Sequence, residues 1–228
     1  MDDTNGIIIG NGEIGNSLGR VLGIKPFGRH DTTLLYDEPV SIMNICFPYT
    51  DDFVDRVKKY QAMYRPSFTV VHSTVPVGTN RSLGSVSSPV IGIHPHLDEG
   101  IRTFTKFLGG EKASEVADYF RRKGLKVYIF DKSETSELMK ILDTTFYGVC
   151  IEYTKDVKRQ ADKFGVPFEA WSIWTSNYNE SYQKLGHPEF TRPNLTPILK
   201  PLGGHCVLPN AKMIDTKFTK LINESNEQ

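Results

Sequence analysis

Gly6-Ile7-Ile8-Ile9-Gly10-Asn11-Gly12-Glu13-Ile14-Gly15 is the stretch that decides the fold. Three consecutive isoleucines read as a short apolar strand, and the chain beyond Gly15 reads as a helix to about Leu22. Strand, GxGxxG turn and helix, in that order, are the setting in which a dinucleotide fingerprint works. Gly10 permits the tight turn, Gly12 lets a pyrophosphate approach the backbone, and Gly15 lets helix and strand pack closely. The helix N-terminus, with Asn11, Glu13 and Ile14 in the turn, then faces the phosphates with unpaired amides. An ordinary glycine-rich turn can carry the same letters, so the motif predicts nucleotide binding without fixing it.

The next segment is short. A complete unit would add a strand ending in Asp or Glu, a helix and a third strand. Only residues 24–39, IKPFGRHDTTLLYDEP, precede the next convincing strand, and they contain two prolines. The adenosine side of the site therefore reads as shortened. Asp31 lies at the right distance to meet a ribose hydroxyl, whereas Arg29 or His30 would suit a 2′-phosphate, so NAD and NADP both stay open. Plain loop residues fit these positions equally well.

From residue 41 an α/β rhythm resumes. Strands are expected at 41–47, 67–73, 89–93 and 126–130, and helices at 51–63 and 111–123. This alternation predicts a mostly parallel, Rossmann-like sheet over residues 1–130. A helical domain over 131–228 follows, built on one long helix at 131–165. In that helix Leu138, Leu142, Phe146, Val149, Tyr153, Val157, Ala161 and Phe164 share one face, and Lys140, Asp143, Thr144 and Tyr147 the other. Helices are also expected at 168–184, with Trp171, Trp174 and Tyr178 on one side, and at 210–222. Between them lies a proline-rich loop at 186–201.

The chain has 228 residues, 39% hydrophobic, with 27 basic and 27 acidic side chains. The balance gives no electrostatic reason to bind nucleic acid or an anionic membrane. No apolar run approaches the length of a bilayer span, and the N-terminus lacks the pattern of a signal peptide. Three widely spaced cysteines, Cys46, Cys150 and Cys206, suit a reducing compartment better than a disulfide framework. A cytoplasmic protein is expected.

Leu202-Gly203-Gly204-His205-Cys206 resembles the nucleotide-sugar 6-dehydrogenases, the UDP-glucose and GDP-mannose dehydrogenase family, and most of all its UDP-N-acetylhexosamine branch. His72-Ser73-Thr74-Val75-Pro76-Val77-Gly78-Thr79 is similar to the family's STVPxGT loop. His94-Pro95-His96-Leu97-Asp98-Glu99-Gly100 is similar to its proline–acidic loop, and Ser136-Glu137-Leu138-Met139-Lys140 with Phe146 to its ELxK…F segment. The motifs occur in the family's order and cover nearly the whole chain. The resemblance implies an NAD(P)-dependent oxidoreductase acting on a primary alcohol or aldehyde, with a sugar or nucleotide sugar as the implied substrate class. It implies Cys206 as nucleophile, Lys140 stabilising oxyanions, and Thr74 and Glu99 positioning a water molecule. In such an enzyme alcohol is oxidised to aldehyde, then through a thiohemiacetal to a thioester that water hydrolyses. It also implies a homodimer built on the long helix.

Departures from the family limit this. Thr144 stands where the family has Asn, Asn210 where it has Asp, and His96 where it has Glu, so complete oxidation to an acid is in question. The chain also ends about 22 residues after Cys206, so the family's C-terminal nucleotide-gripping domain is expected to be missing. A non-catalytic dinucleotide-binding or regulatory dimer scaffold is the alternative. A second alternative starts from Ile93-His94-Pro95, which resembles the catalytic histidine segment of prephenate dehydrogenases, where the imidazole takes a proton during a single hydride transfer. His94, His96 and Asp98 could also be read as metal ligands, but the proline–acidic loop explains them, and no metal is expected.

Overall fold

Each isoleucine of β1 (Gly6–Ile9) faces one of two apolar layers, and the first unit of the molecule, Met1–Lys140, is built outward from that alternation. The structure is a computed structural model that describes residues 5–28, 40–203 and 206–227. β1, β2 (Ile42–Ile45), β3 (Phe68–Val71), β4 (Val86–Ser87), β5 (Lys106–Gly109) and β6 (Val127–Phe130) form one sheet in sequence order. Every neighbouring pair is parallel except β4 with β5. On one face Ile8 and Ile42 pack with Leu18, Val21 and Leu22 of α1 (Glu13–Leu22) and with Val116, Ala117 and Phe120 of α5 (Ala113–Arg122). On the other, Ile7, Ile9, Met43 and Ile45 pack with Phe53, Val57, Tyr60 and Tyr64 of α2 (Phe53–Tyr64). Parallel strands covered on both faces explain the near-continuous apolar runs that made them recognisable.

The first two helices thus lie on opposite faces, so the chain reverses direction at β1. Phe27 marks the reversal. Its N–H donates to Ile8 O (2.9 Å) and its carbonyl accepts from Gly10 N–H (2.7 Å), while Ile9 O on the opposite edge accepts from Cys46 N–H (2.8 Å). Among the described residues, this single parallel bridge stands where a full unit would add a strand, in keeping with the shortened segment. Asp31, Arg29 and His30 lie outside the described residues.

Several elements differ from the sequence expectation. Residues 89–93 do not form a strand: the ladder beside β3 is taken by β4, and Gly92 turns away to meet Gly100, whose Cβ would lie 2.6 Å from the Gly92 Cα. β5 and the helices α3 (Thr79–Leu83) and α4 (Leu97–Thr103) occupy stretches in which the sequence pattern assigns no strand or helix. The closing helix at 210–222 is two helices, α8 (Val207–Ala211) and α9 (Lys217–Glu227). Thr216 and Thr219 divide them by reciprocal capping, each backbone N–H donating to the other's hydroxyl at 2.9 and 3.1 Å.

The second unit, Ile141–Gln228, contains most of α6 (Ser133–Lys163), together with α7 (Glu169–Lys184), a 3-10 turn at Pro188–Phe190, α8 and α9. The long helix is present, but the buried side coincides only in part with the apolar stripe, at Val149 and Ala161. Ile141, Thr144, Thr145, Gly148, Glu152 and Lys155 are buried, while Phe146, Tyr153 and Phe164 are 62%, 58% and 71% exposed. Packing against small residues decides this. A Cβ on Gly148 would lie 2.6 Å from Val207 and 2.9 Å from Ile222, so α8 and α9 approach at the glycine and bring polar neighbours inside with it. Glu152 and Lys155 satisfy each other at 2.7 Å. Among the described residues, no helix is long and apolar enough to cross a membrane.

A polar chain crosses the sheet of the first unit. Asn44 Nδ2 donates to Ile7 O (3.1 Å), which turns Asn44 Oδ1 towards His72 Nε2 (2.9 Å). His72 Nδ1 lies 3.1 Å from both Ser88 O and Lys106 Nζ, and the amine lies 4.9 Å from the centre of the Phe120 ring. All three side chains are buried. Burial brings Lys106 down from 10.5 to about 7 and raises the nearby Cys46 thiol from 9.0 to about 12. Burial, reinforced by the Lys106 charge, holds His72 well below its ordinary 6.5.

The sign of the resulting pH dependence follows directly. Between about 7 and 9 the unfolded chain holds a proton on Lys106 that the folded chain has lost, so stability rises with pH. Above 9 the unfolded Cys46 ionises while the folded thiol does not, which opposes the gain. Below 6.5 the unfolded His72 takes a proton that the folded one refuses, and stability falls again. Urea unfolding should show a gain of about 2 kcal/mol from pH 7 to pH 9. Lys106→Met should remove that gain; an unchanged slope would show that the amine is not the source.

Candidate functional site

The carboxyl ends of β1, β2 and β3 are in register, Ile9 beside Ile45 beside Val71, so Gly10, Cys46 and His72 leave the sheet side by side. Gly10 has φ 111°, and a Cβ there would lie 2.7 Å from the Cys46 carbonyl carbon. Gly15 is buried, and its Cβ would lie 1.7 Å from Gly10 O, so α1 can start against the strand only because both are glycine. Gly12 differs: a Cβ there meets nothing within 4 Å. Asn11, Gly12 and Glu13 are exposed and Ile14 is half-buried against the core. The turn therefore presents open space in front of the first amides of a ten-residue helix, at the point where the chain reverses. That fits a diphosphate.

The loop after β3 is fixed from two sides. Ser73 Oγ donates to Phe47 O (2.6 Å), joining it to the loop after β2. Glu137, on the first turns of α6, is 2% exposed and accepts from Gly78 N–H (2.6 Å), Asn80 N–H (2.8 Å) and Asn80 Nδ2 (2.8 Å). Its carboxylate thereby satisfies the donors that open α3, and Arg81 pairs with Glu134 beside it at 2.8 Å. Thr74 sits half-buried on this anchored loop, and Lys140 is half-buried one turn of α6 beyond Glu137. Glu137 holds the loop in place, a role its position in the sequence motif alone did not suggest.

The segment 94–100 lies along α1. His94 Nδ1 is 2.6 Å from Glu13 Oε2, and Asp98 is 3.2 Å from Arg20, whose hydrogen bond holds the Asp98 carboxyl below the usual range. Two of the three side chains that could be read as metal ligands, His94 and Asp98, are thus drawn to separate partners on one helix. Glu99 and His96 are exposed.

In the second unit Cys206 is exposed immediately before α8. Gly204 and His205 of its motif lie outside the described residues. Thr144 and Asn210, the two neutral replacements, are joined: Asn210 Nδ2 donates to Thr144 Oγ1 at 3.2 Å, and both are buried. Nothing local in sequence links two residues so far apart, so the pairing was not legible there.

No family model matches the sequence, and no curated sequence does. Solved structures do match in shape. A UDP-D-ManNAc dehydrogenase from Pyrococcus horikoshii superposes with a TM-score of 0.69 over 95% of this chain, at 17% identity. A UDP-glucose dehydrogenase from the hyperthermophilic archaeon Pyrobaculum islandicum gives 0.74 over 97%, at 14% identity. The fold is theirs. The nucleotide-sugar dehydrogenase resemblance seen in the motifs is thus matched in the backbone, in a Rossmann-like sheet followed by helices. The chain spans only 57% and 67% of the length of those two proteins. A 3-hydroxyisobutyrate dehydrogenase from Mycobacterium tuberculosis shares the fold at nearly full length, with a TM-score of 0.66, 12% identity, 96% of this chain and 91% of its own. A dehydrogenase fold of this type therefore occurs both with and without a large additional segment.

Proposed function

We propose that this chain is a nicotinamide-dinucleotide-dependent oxidoreductase acting on a CH–OH donor, a primary alcohol or aldehyde of sugar type. The observation that carries the reading is the glycine turn: Gly10 and Gly15 are demanded by the protein, whereas the space at Gly12 is left open before the α1 amides. Gly10, Asn11, Gly12, Glu13, Ile14 and Gly15 would hold the diphosphate, with Asp31 as the candidate ribose partner. A nicotinamide bound there supplies hydride uptake and release.

Cys206 is the proposed nucleophile. Its thiolate adds to the aldehyde carbon, the carbonyl electron pair moves to oxygen, and the oxygen takes a proton, giving a thiohemiacetal. Lys140 is proposed to steady oxyanions, and Thr74 and Glu99 to position water. The neutral Asn210–Thr144 pair offers no carboxylate to take up a proton, so the final step to the acid is proposed to be slower than the step between alcohol and aldehyde. The same pair favours a second reading, a non-catalytic dimer scaffold. Phe146, Tyr153 and Phe164 of α6, with Ile173 and Trp174 of α7, form exposed apolar surface suited to a second copy of this chain.

Calorimetric titration with NADH should give a dissociation constant below about 1 mM. Gly12→Val should keep the thermal stability and weaken binding by about tenfold or more, because the side chain enters the ligand's space and touches nothing else. Undetectable NADH and NADPH binding would leave the scaffold reading in place. At pH 6.5, iodoacetamide should alkylate Cys206 about ten times faster than it alkylates the amino acid cysteine in solution. Cys46, buried and with its thiol at about 12, should remain unlabelled. A Cys206 rate no higher than that of the amino acid would remove it as nucleophile. Sedimentation at micromolar concentration should give the mass of a dimer; monomer alone would end the interface proposal.

A further inference from the structure

β6 is the last strand of the sheet, and the chemistry proposed above makes no use of it. Lys126 O accepts from Lys106 N–H (2.8 Å) and Phe130 O from Gly110 N–H (3.4 Å), so Lys126, Tyr128 and Phe130 turn their backbone groups towards β5. Alternation then turns the N–H and C=O of Val127 and Ile129 outward, where no further strand stands among the described residues. Leu125 N–H is already given to Phe120 O (3.2 Å), so the open edge begins at Val127. Edge strands are commonly blunted by proline or by charge. Val127-Tyr128-Ile129-Phe130 holds neither, and Tyr128 is 56% exposed. Val127 and Ile129 lie on the α5 face, against the core. Tyr128 and Phe130 lie on the opposite face, their ring centres 6.1 and 5.6 Å from that of Phe107.

We propose that this edge pairs antiparallel with the same edge of a second copy of the chain, about a two-fold axis at Tyr128. An axis relating two such strands stands perpendicular to the sheet, so each face stays continuous and one residue must lie opposite itself. The choice of that residue is narrow. With Val127 on the axis, Ile129 would face Leu125 of the partner subunit, whose N–H is spent on Phe120. With Ile129 there, Lys126 would face Lys132 of the partner subunit, like charges in direct opposition. With Phe130 there, Val127 would face Ser133 of the partner subunit, which is already helical. With Tyr128 there, Val127 faces Ile129 of the partner subunit and the reverse, so every outward N–H of these residues meets an outward C=O. On the exposed face Tyr128 meets Tyr128 of the partner subunit, and each Lys126 ammonium meets a Phe130 ring across the boundary. On the other face β-branched side chains meet. Asp131 of the partner subunit comes level with Leu125, beside the basic end of α5 at Arg121, Arg122 and Lys123. Charge, ring and backbone all match in this one register, and that self-complementarity selects a second copy over an unrelated strand. The pairing uses no residue of the α6–α7 surface and does not rest on the dinucleotide reading.

The test uses the full chain carrying Tyr128→Cys. A residue opposite itself in a non-hydrogen-bonded pair has its two Cα atoms about 4.5 Å apart, within reach of a disulfide. In a glutathione redox buffer at micromolar protein, this variant should form chain-to-chain disulfides about ten times faster than Met63→Cys, an exposed site on α2. Peptide mapping should place the bond between the two substituted positions. Linkage no faster than in Met63→Cys overturns the pairing and leaves the edge to a strand of another protein. Charge tests the register separately. Tyr128→Lys and Tyr128→Glu each set like charges on the axis, and sedimentation should show self-association weakened about tenfold in either. An equimolar mixture of the two should recover it. Circular dichroism should be unchanged, because Tyr128 is more than half exposed. Association that neither charge weakens, or that the mixture does not recover, overturns the axis at Tyr128.

Discussion

A methyl group on Gly15 would lie 1.7 Å from the carbonyl oxygen of Gly10, and the first unit is arranged around the absence of anything there. That vacancy lets α1 begin in van der Waals contact with the end of β1. It fixes which face of the sheet α1 covers, and so sends the chain past Phe27 on the outer edge before it returns as β2. The same approach aims the first amides of α1 into open space and puts Glu13 where the segment 94–100 can reach it. Site and fold are consequences of one steric allowance.

Elsewhere the molecule brings polar groups into its interior and satisfies them one by one. Asn44, His72 and Lys106 pass hydrogen bonds from strand to strand across a core made of Ile, Val and Phe. Glu137 gives two oxygens to three donors. Glu152 and Lys155 neutralise each other on the buried side of α6, and Thr144 meets Asn210. An unpaired member of any of these sets would be costly at such burial, so the residues are coupled: replacing one calls for replacing its partner. The Thr144–Asn210 pair illustrates this, since two departures from the family pattern occur at positions that touch.

How legible this was depended on element length and on which neighbours decide burial. β1, β2 and β3 carry continuous apolar runs, and α1, α2, α5 and α7 carry helical periodicity, so they could be read directly. β4 is two residues long, and β5 begins with a lysine, which hides a buried strand behind a charge. α6 was recognisable as a helix but not for its orientation, because eight well-spaced apolar residues outvote Gly148 on paper while the close approach at Gly148 decides in space. At the candidate site, the tight turn at Gly10 and the close packing at Gly15 were readable. The Glu13–His94 contact was not, because it joins positions that only the turn at Gly92 and Gly100 brings together.

Lys106 adds a chemical record to the fold. A primary amine brought down to about 7 is a target for electrophiles, yet this one is 6% exposed and lies beside an aromatic ring and an imidazole. Acylating or carbamylating agents can reach it only during the intervals in which β5 separates from its neighbours. Each opening of the sheet exposes the amine to reagent, and a modified side chain could not regain its place against His72. Damage at this position would therefore accumulate with the number of openings, so that the first unit carries in one side chain a cumulative count of its own excursions from the native state.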